Sequence, residues 1–400
     1  MMKLKFQRIK KLINPHGVIV TLLIWGVILL LDVIRLNLHF LDPFNNGLKN
    51  YEITDIVTSR LRDKEQVNFE DQIVLVNTGK PDRLQLAKIL DRLKHFSPKV
   101  IGLDILLEEK KDASIDSFLA EKIRSTPKIV LANRLKRYND SLQLFAPPVG
   151  CNPLFAQHAQ TGFINFVSKD NWTVRLFNPK VNTEGGEEFA FSVKIAELGE
   201  PISLKKLWQR NKNVERIHFL GDINSFVKFE AALLLDTTLD LSAAFKDKIV
   251  LIGYLGNDEW SKPMKDRFFT PLNEQYAGRS LPDMFGLVIH ANIISMLING
   301  NYIYEIPVWL AAILEISFCY ANVLFIFWVY KRFPEPFHFI TRGIQILEFV
   351  LVFLLISILF YYFKILIDFD KGILALLLIY DFVMIYESFL KKKIKILQRF

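Results

Sequence analysis

Residues 72–107 read QIVLVNTGKPDRLQLAKILDRLKHFSPKVIGLDILL, and the order of their patterns decides the fold of the larger part of the chain. Gln72 to Val76 is a short apolar run of strand length. Arg83 to Phe96 places Leu84, Leu86, Ile89, Leu90 and Leu93 at helical spacing, and Val100 to Leu107 is a second apolar run. Strand, amphipathic helix and strand in that order predict a parallel sheet with helices packed on it. The pattern continues outward with a helix around Ile115 to Ile123 and a strand at Ile129 to Leu131. Upstream, Phe44 to Arg62 carries Ile53, Ile56, Val57 and Leu61 periodically and reads as a linker helix.

Further along, Gly162 to Val167 and Thr173 to Asn178 read as a hairpin turning at Asp170-Asn171, and Glu188 to Leu198 as a helix. Arg216 to Leu220 and Lys248 to Ile252 are strand candidates. A long polar loop, Gly256 to Pro282, precedes a helix over Gly286 to Ile298. A loop of that length in a compact domain points to function or mobility.

Half of the 400 residues are apolar, enough for a soluble core and for bilayer spans. An uncharged run, Gly17 to Leu31, extends to a first span over residues 17–34; it reads as an uncleaved anchor, because no small-residue cleavage site follows Asp32-Val33-Ile34-Arg35. Three further runs, 307–330, 343–363 and 372–390, have spanning length. Pro307 suits the first turn of a helix, where a missing N–H costs nothing. The formal charge is +8, but residues 1–16, 331–342 and 391–400 together carry +12, leaving −4 for everything else. The large domain is therefore not basic, which speaks against nucleic acid as a partner. Lys and Arg near membrane ends are retained in the cytoplasm. This predicts basic cytoplasmic tails at 1–16 and 391–400 and places residues 44–306 outside the cytoplasm. The expected fold class is an α/β extracytoplasmic domain, a mixed and largely parallel sheet with flanking helices, plus an α-helical membrane part of four spans. Cys151 and Cys319 are the two cysteines, one in the soluble part and one in an apolar run, so neither a structural disulfide nor a cysteine metal site is expected.

Five short motifs then carry a resemblance. They are Val100-Ile101-Gly102-Leu103-Asp104-Ile105-Leu106; Gly162-Phe163-Ile164-Asn165 with Asp170 and Arg175; Phe245-Lys246-Asp247-Lys248-Ile249-Val250-Leu251-Ile252-Gly253; Asp266 with Thr270-Pro271-Leu272; and Gly286-Leu287-Val288-Ile289-His290-Ala291-Asn292. In this order, followed by three membrane helices, the chain over about residues 45 to 390 resembles the type 2 CHASE family of sensory extracellular domains. The resemblance implies a sensor domain in a cell (inner) membrane protein. The early strand in that family usually ends in acidic residues and leads to a tryptophan-containing stretch, whereas this chain has Asn77-Thr78-Gly79-Lys80-Pro81, so a ligand site shaped there is altered. Family members usually continue into a kinase or cyclase domain. The ten residues after Leu390 are too few for one, so an input module acting on a separate partner is expected.

Asp104, Asp266, Thr270, His290 and Asn292 are the candidate residues of a polar ligand pocket near strand ends. The alternative is that His290 and Asn292 cap backbone groups and Asp104 holds a loop; this is the commoner arrangement. Catalysis is not expected, since no nucleophile-base pair or metal-ligand spacing stands out, and no cofactor is expected. Each C-terminal run carries an acid, Glu315, Glu348 and Asp381. From helical rise Glu315 lies roughly 12 Å in from Pro307 and Asp381 roughly 14 Å in from Gly372, so the two are candidate neighbours. They form either a protonatable path or, more commonly, hydrogen bonds between helices. The partners expected are the lipid bilayer, a signalling or envelope-assembly protein, a second copy in a homodimer, and an unidentified small ligand. A structural or accessory subunit of an envelope complex is the alternative function, and an ion-coupled machine a third.

Overall fold

The computed structural model describes residues 14–37, 53–60, 69–79, 82–166, 173–256, 266–273 and 281–391. The basic residues before 14 and after 391, most of the 44–62 linker, Lys80-Pro81 and the Asp170-Asn171 turn lie outside the described residues. The chain divides into two compact units, Met1–Leu48 with Tyr304–Phe400, and Lys49–Ile303. In chain order the principal elements are α1 (Pro15–Asn37), α2 (Ile53–Arg60), β1 (Glu70–Asn77), α3 (Arg83–His95), β2 (Val100–Leu103), α4 (Ala113–Ser125), β3 (Ile129–Asn133) and β4 (Gln160–Phe163). There follow α5 (Phe191–Gly199), β5 (Phe226–Glu230), β6 (Ile249–Gly253), β7 (Arg267–Phe268), β8 (Met284–Phe285), α6 (Gly286–Asn299), α7 (Val308–Arg332), α8 (Phe337–Phe363) and α9 (Asp370–Ile385).

In the 49–303 unit the sheet order is β5-β1-β6-β2-β3-β4, every pairing parallel. Both faces are covered, which is why the central strands read as unbroken apolar runs. Alternation sends Val74, Val76, Val250 and Ile252 to the face carrying α3 and α4, and Ile73, Leu75, Ile249 and Leu251 to the face carrying α5 and α6. Helix α3 begins where Asp82 accepts the Gln85 N–H at 2.7 Å and the Gln85 side chain answers the Asp82 N–H, a capping box. Gly162 lets α5 approach β4: a Cβ there would stand 2.6 Å from the Phe191 Cα, a backbone atom that cannot step aside.

Three expectations need correction. Gly162 to Val167 and Thr173 to Asn178 are not the two arms of a hairpin. Gln160–Phe163 joins the parallel sheet beside β3, and Leu176–Phe177 pairs antiparallel with Glu215–Arg216. The second apolar run leaves the ladder at Leu103 rather than Leu107, and the Arg216 to Leu220 run contributes only Arg216 to a strand. Edge strand β5 has no apolar run to mark it, because its exposed Lys228 and Glu230 break the pattern. Polar side chains of this kind keep an open sheet edge from pairing with other chains.

In the other unit α1, α7, α8 and the stretch Asp370–Leu390 are long and apolar enough to cross a membrane, a set that fits a multi-pass membrane protein. Val20, Ile24 and Ile28 of α1 pack with Cys319, Val323 and Ile326 of α7 and with Ala375, Ile379 and Val383 of α9. Helix α8 begins at Phe337, after Pro336, and Thr341 and Gln345 in its first turns are buried. Tyr304–Glu305 pairs with Ile365–Leu366 at one end of this unit.

Candidate functional site

Parallel sheets leave their carboxyl ends open to loops, and ligands of open α/β sheets collect there. In this sheet the carboxyl ends of β5, β1, β6 and β2 present Glu230, Asn77, Gly253 and Asp104 in a row. Asn77 is buried, and its amide ties three segments together. Its nitrogen donates to Glu230 Oε2 and to the Gly256 carbonyl, both at 2.8 Å, and its oxygen accepts from the Leu255 and Gly79 N–H groups at 2.9 and 3.1 Å. Thr78 donates through both its N–H and its hydroxyl to the Gly253 carbonyl, at 2.9 and 3.1 Å. Beside this clamp opens a cavity of about 350 Å³. Asn77, Thr78, Gln85 and Glu230 give it polar walls, while Ile89, Leu235 and Ala232 give it an apolar side. Asn77, Thr78 and Gly79, which follow one another at the end of β1, thus form one wall of the cavity.

None of the five candidate pocket residues lines this cavity; they fall into three environments. Asp104 lies one residue past β2, its N–H bonded to the Ile252 carbonyl at 2.8 Å. Burial among neighbouring groups, and then the charge of Asp266, push its carboxyl up to about 7. Asp266 adopts a left-handed backbone (φ 65°) and accepts the Gly286 N–H at the start of α6. Thr270 bonds Asp283 through both its N–H and its hydroxyl. Burial raises the Asp283 carboxyl to about 6 against those bonds. Nothing in the sequence pattern singled out Asp283, which follows a proline in a polar loop.

His290 is buried between the rings of Phe166 and Phe191, with Nδ1 2.8 Å from Ser192 Oγ. Burial pulls its imidazole down to about 3, so it stays neutral. Asn292 is fully buried: its oxygen accepts the Leu220 and Gly221 N–H groups at 2.7 and 3.1 Å, and its nitrogen donates to the Gly221 and Val288 carbonyls, both at 2.9 Å. Glu70, also buried, accepts from Ser295 Oγ and Asn299 Nδ2, each at 2.7 Å. Helix α6 is therefore held by polar side chains at three points: Ser192 of α5, the Leu220-Gly221 segment, and Glu70 of β1.

The raised carboxyls set a pH dependence. A carboxyl with a folded pKa above its unfolded value near 4 contributes stability that is complete below pH 4 and lost as pH rises through the folded value. For Asp104 the loss runs through about 7 and for Asp283 through about 6. His290 opposes them, since a base depressed on folding costs stability as pH falls below its unfolded value near 6.5. The difference between wild type and Asp104→Asn isolates the first effect. Above pH 7 the substitution is expected to stabilise by about 1–2 kcal/mol, discounted for the solvent-facing side of Asp104, and to raise Tm by roughly 3 °C. At pH 4 the two proteins are expected to melt together. Equal Tm differences at both pH values would contradict the assignment.

In the membrane-type unit each of the three acids joins its helix to a different neighbour. Glu315 of α7 accepts the Gly372 N–H of α9 at 2.8 Å. With its amide nitrogen turned towards Glu348, Asn322 of α7 donates to both carboxylate oxygens of that α8 residue, at 2.7 and 2.9 Å. Asp381 of α9 meets Arg342 of α8 at 3.3 Å. Glu315 and Asp381 are not neighbours: Gly372 and Asp381 are nine residues apart on α9, about 13 Å of helix.

A family model described as the CHASE2 domain matches residues 20–329, from within α1 to within α7. No curated protein and no solved structure matches the chain. The family match takes in the whole of the parallel sheet, the Asn77 cavity at its carboxyl edge and the fastened helix α6, and on that ground the chain belongs to the CHASE2 family of sensory extracellular domains.

Proposed function

We propose that this protein is a non-catalytic signal-input protein whose α/β domain, held outside the cytoplasm, receives a small molecule in the Asn77 cavity. The observation that carries the reading is the cavity itself, at the carboxyl ends of β5, β1 and β6. Its lining calls for a small ligand with hydroxyl or amino groups for Glu230, Gln85 and Thr78, and a short apolar part for Ile89 and Leu235. The basic clusters in the tails and at 331–342 support cytoplasmic termini. Occupancy acts on the sheet edge, α6 moves with the sheet to which it is fastened, and the chain runs on through residues 300–307 into α7. A separate signalling protein reads the resulting rearrangement of helices.

The test is ligand-induced stabilisation of the full chain in mild detergent. Compounds that raise the Tm of wild type are expected to leave Ala232→Trp, in which an indole fills the cavity, unshifted. Hits that stabilise both proteins equally would refute the site. Cross-linking in native membranes addresses the relay: a captured kinase or cyclase supports it, and envelope-assembly proteins alone would favour a docking role instead.

A further inference from the structure

The ion pair between Arg342 and Asp381 lies on the outer surface of the membrane-type unit, where both side chains are 52% exposed. Asp381 is eleven residues from Asp370 and nine from Leu390, about 16 Å and about 13 Å of helix, so it sits in the middle of its apolar stretch. Its partner Arg342 is five residues into α8, at the end of the basic 331–342 segment, so the pair lies towards the proposed cytoplasmic side of the apolar band; ionisable groups inside membranes almost always face protein or water, and here both side chains are half-exposed. The surface around it is continuous. Leu377, Asp381 and Ile385 repeat every fourth residue on α9, and Phe339, Gly343 and Ile346 line the exposed side of α8 next to Arg342. A Cβ built on Gly343 meets nothing within 4 Å, so this stripe has room for a helix backbone to come close. Among the described residues of α8 and of the Asp370–Leu390 stretch, the other charges are Glu348, which is half-buried, and Asp370, Lys371 and Glu387 near the ends. Arg342 also lies over the Tyr380 ring at 4.2 Å and donates to Gln345 Oε1 at 3.1 Å, which fixes its height.

We propose that the α8–α9 face is covered by a second copy of this chain, with Asp381 of each copy meeting Arg342 of the other. The charge pattern selects the occupant. Two copies inserted in the same direction are related by a twofold axis along the membrane normal, and such an axis preserves depth. Arg342 and Asp381 are in contact, so they share one depth, and the twofold carries each opposite its complement. The face is therefore self-complementary, as an isologous interface requires. Phe339, Ile346, Leu377 and Ile385 supply the apolar packing around the charges, and Gly343 allows the close approach.

The experiment co-expresses two differently tagged full-length copies and measures how much of one co-purifies with the other in mild detergent. Wild-type copies are expected to co-purify. Pairs that both carry Asp381→Arg, or both carry Arg342→Asp, are expected to lose association by about tenfold through like-charge contact. An Asp381→Arg copy mixed with an Arg342→Asp copy is expected to associate to within about twofold of wild type, because the reciprocal contacts are restored. A mixture no better than the single-variant pairs, or wild type that runs as a monomer in native mass spectrometry, would overturn the proposal. Cross-linking keeps it falsifiable if the charge variants do not fold: in a chain carrying Cys151→Ser and Cys319→Ser, Ile346→Cys is expected to form an oxidant-dependent disulfide dimer. The control Leu314→Cys, exposed on α7, is not. Equal cross-linking at both positions would count against the α8–α9 face.

Discussion

Arg175→Leu is expected to lower the unfolding free energy of the α/β domain by about 3–5 kcal/mol, the usual cost of stripping one partner from a buried ion pair. Arg175 Nε donates to Asp55 Oδ1 at 3.1 Å and Nη2 to Oδ2 at 2.5 Å, a bidentate fork, and both residues are buried. The pair binds α2 to the segment that opens strand Leu176–Phe177, where the Arg175 carbonyl also accepts the Ile217 N–H at 2.8 Å. Without the guanidinium, the Asp55 carboxylate remains desolvated among protein atoms. Thermal unfolding of the full chain in detergent should show a Tm fall of about 10 °C. The double change Asp55→Leu with Arg175→Leu should recover much of it, since both charges of the pair are removed together. A single substitution that costs less than about 1 kcal/mol would show that the pair is only a surface contact.

Asn292→Leu is expected to cost about 3–4 kcal/mol, because it leaves the Leu220 and Gly221 N–H groups and the Gly221 carbonyl without a partner inside the domain. Leucine is close to asparagine in size, so the loss comes from hydrogen bonding and not from a void. The prediction separates two roles for this motif residue. A structural clamp gives a large Tm drop and unchanged affinity for any compound that still binds the folded protein. A ligand contact would give near-normal Tm and lost affinity, and that pattern would contradict the clamp.

The parts of the fold that could be read from sequence are those in which local pattern and final environment agree. Ile73 to Val76 and Ile249 to Ile252 are apolar throughout because both sheet faces are covered, and such runs are visible without any knowledge of partners. Helix α3 was placed to within a residue, since its apolar spacing is bounded by the Asp82 capping box. Strand β5 does not stand out in the sequence, because a strand at a sheet edge tolerates polar residues and Lys228 and Glu230 break its apolar pattern. The mistaken hairpin has a related cause: Leu176–Phe177 finds its partner some forty residues away at Glu215–Arg216, and nothing local announces a distant pairing.

The site followed the same logic. Asp104 was visible as an acid at the end of an apolar run, and His290 and Asn292 as polar residues in an apolar helix. The cavity was not visible, because its wall is made by Asn77 meeting Glu230 across 153 positions of sequence, and Glu230 belongs to the unforeseen strand. A sensor pocket built from strand ends is a property of sheet order, which sequence patterns specify only weakly when the order is not consecutive.

The three membrane acids have a mechanical consequence. Glu315 grips α9 from α7, Asn322 of α7 grips Glu348 of α8, and Asp381 grips α8 from α9, so the contacts close a loop in which every helix is held by both others. Sliding one helix along its axis by a single turn, about 5.4 Å, would exceed the reach of a hydrogen bond at two of the three joints at once. Turning or tilting the three as a block stretches none of them. The contacts therefore oppose the slippage of one helix past the other two, and leave the three free to move only together.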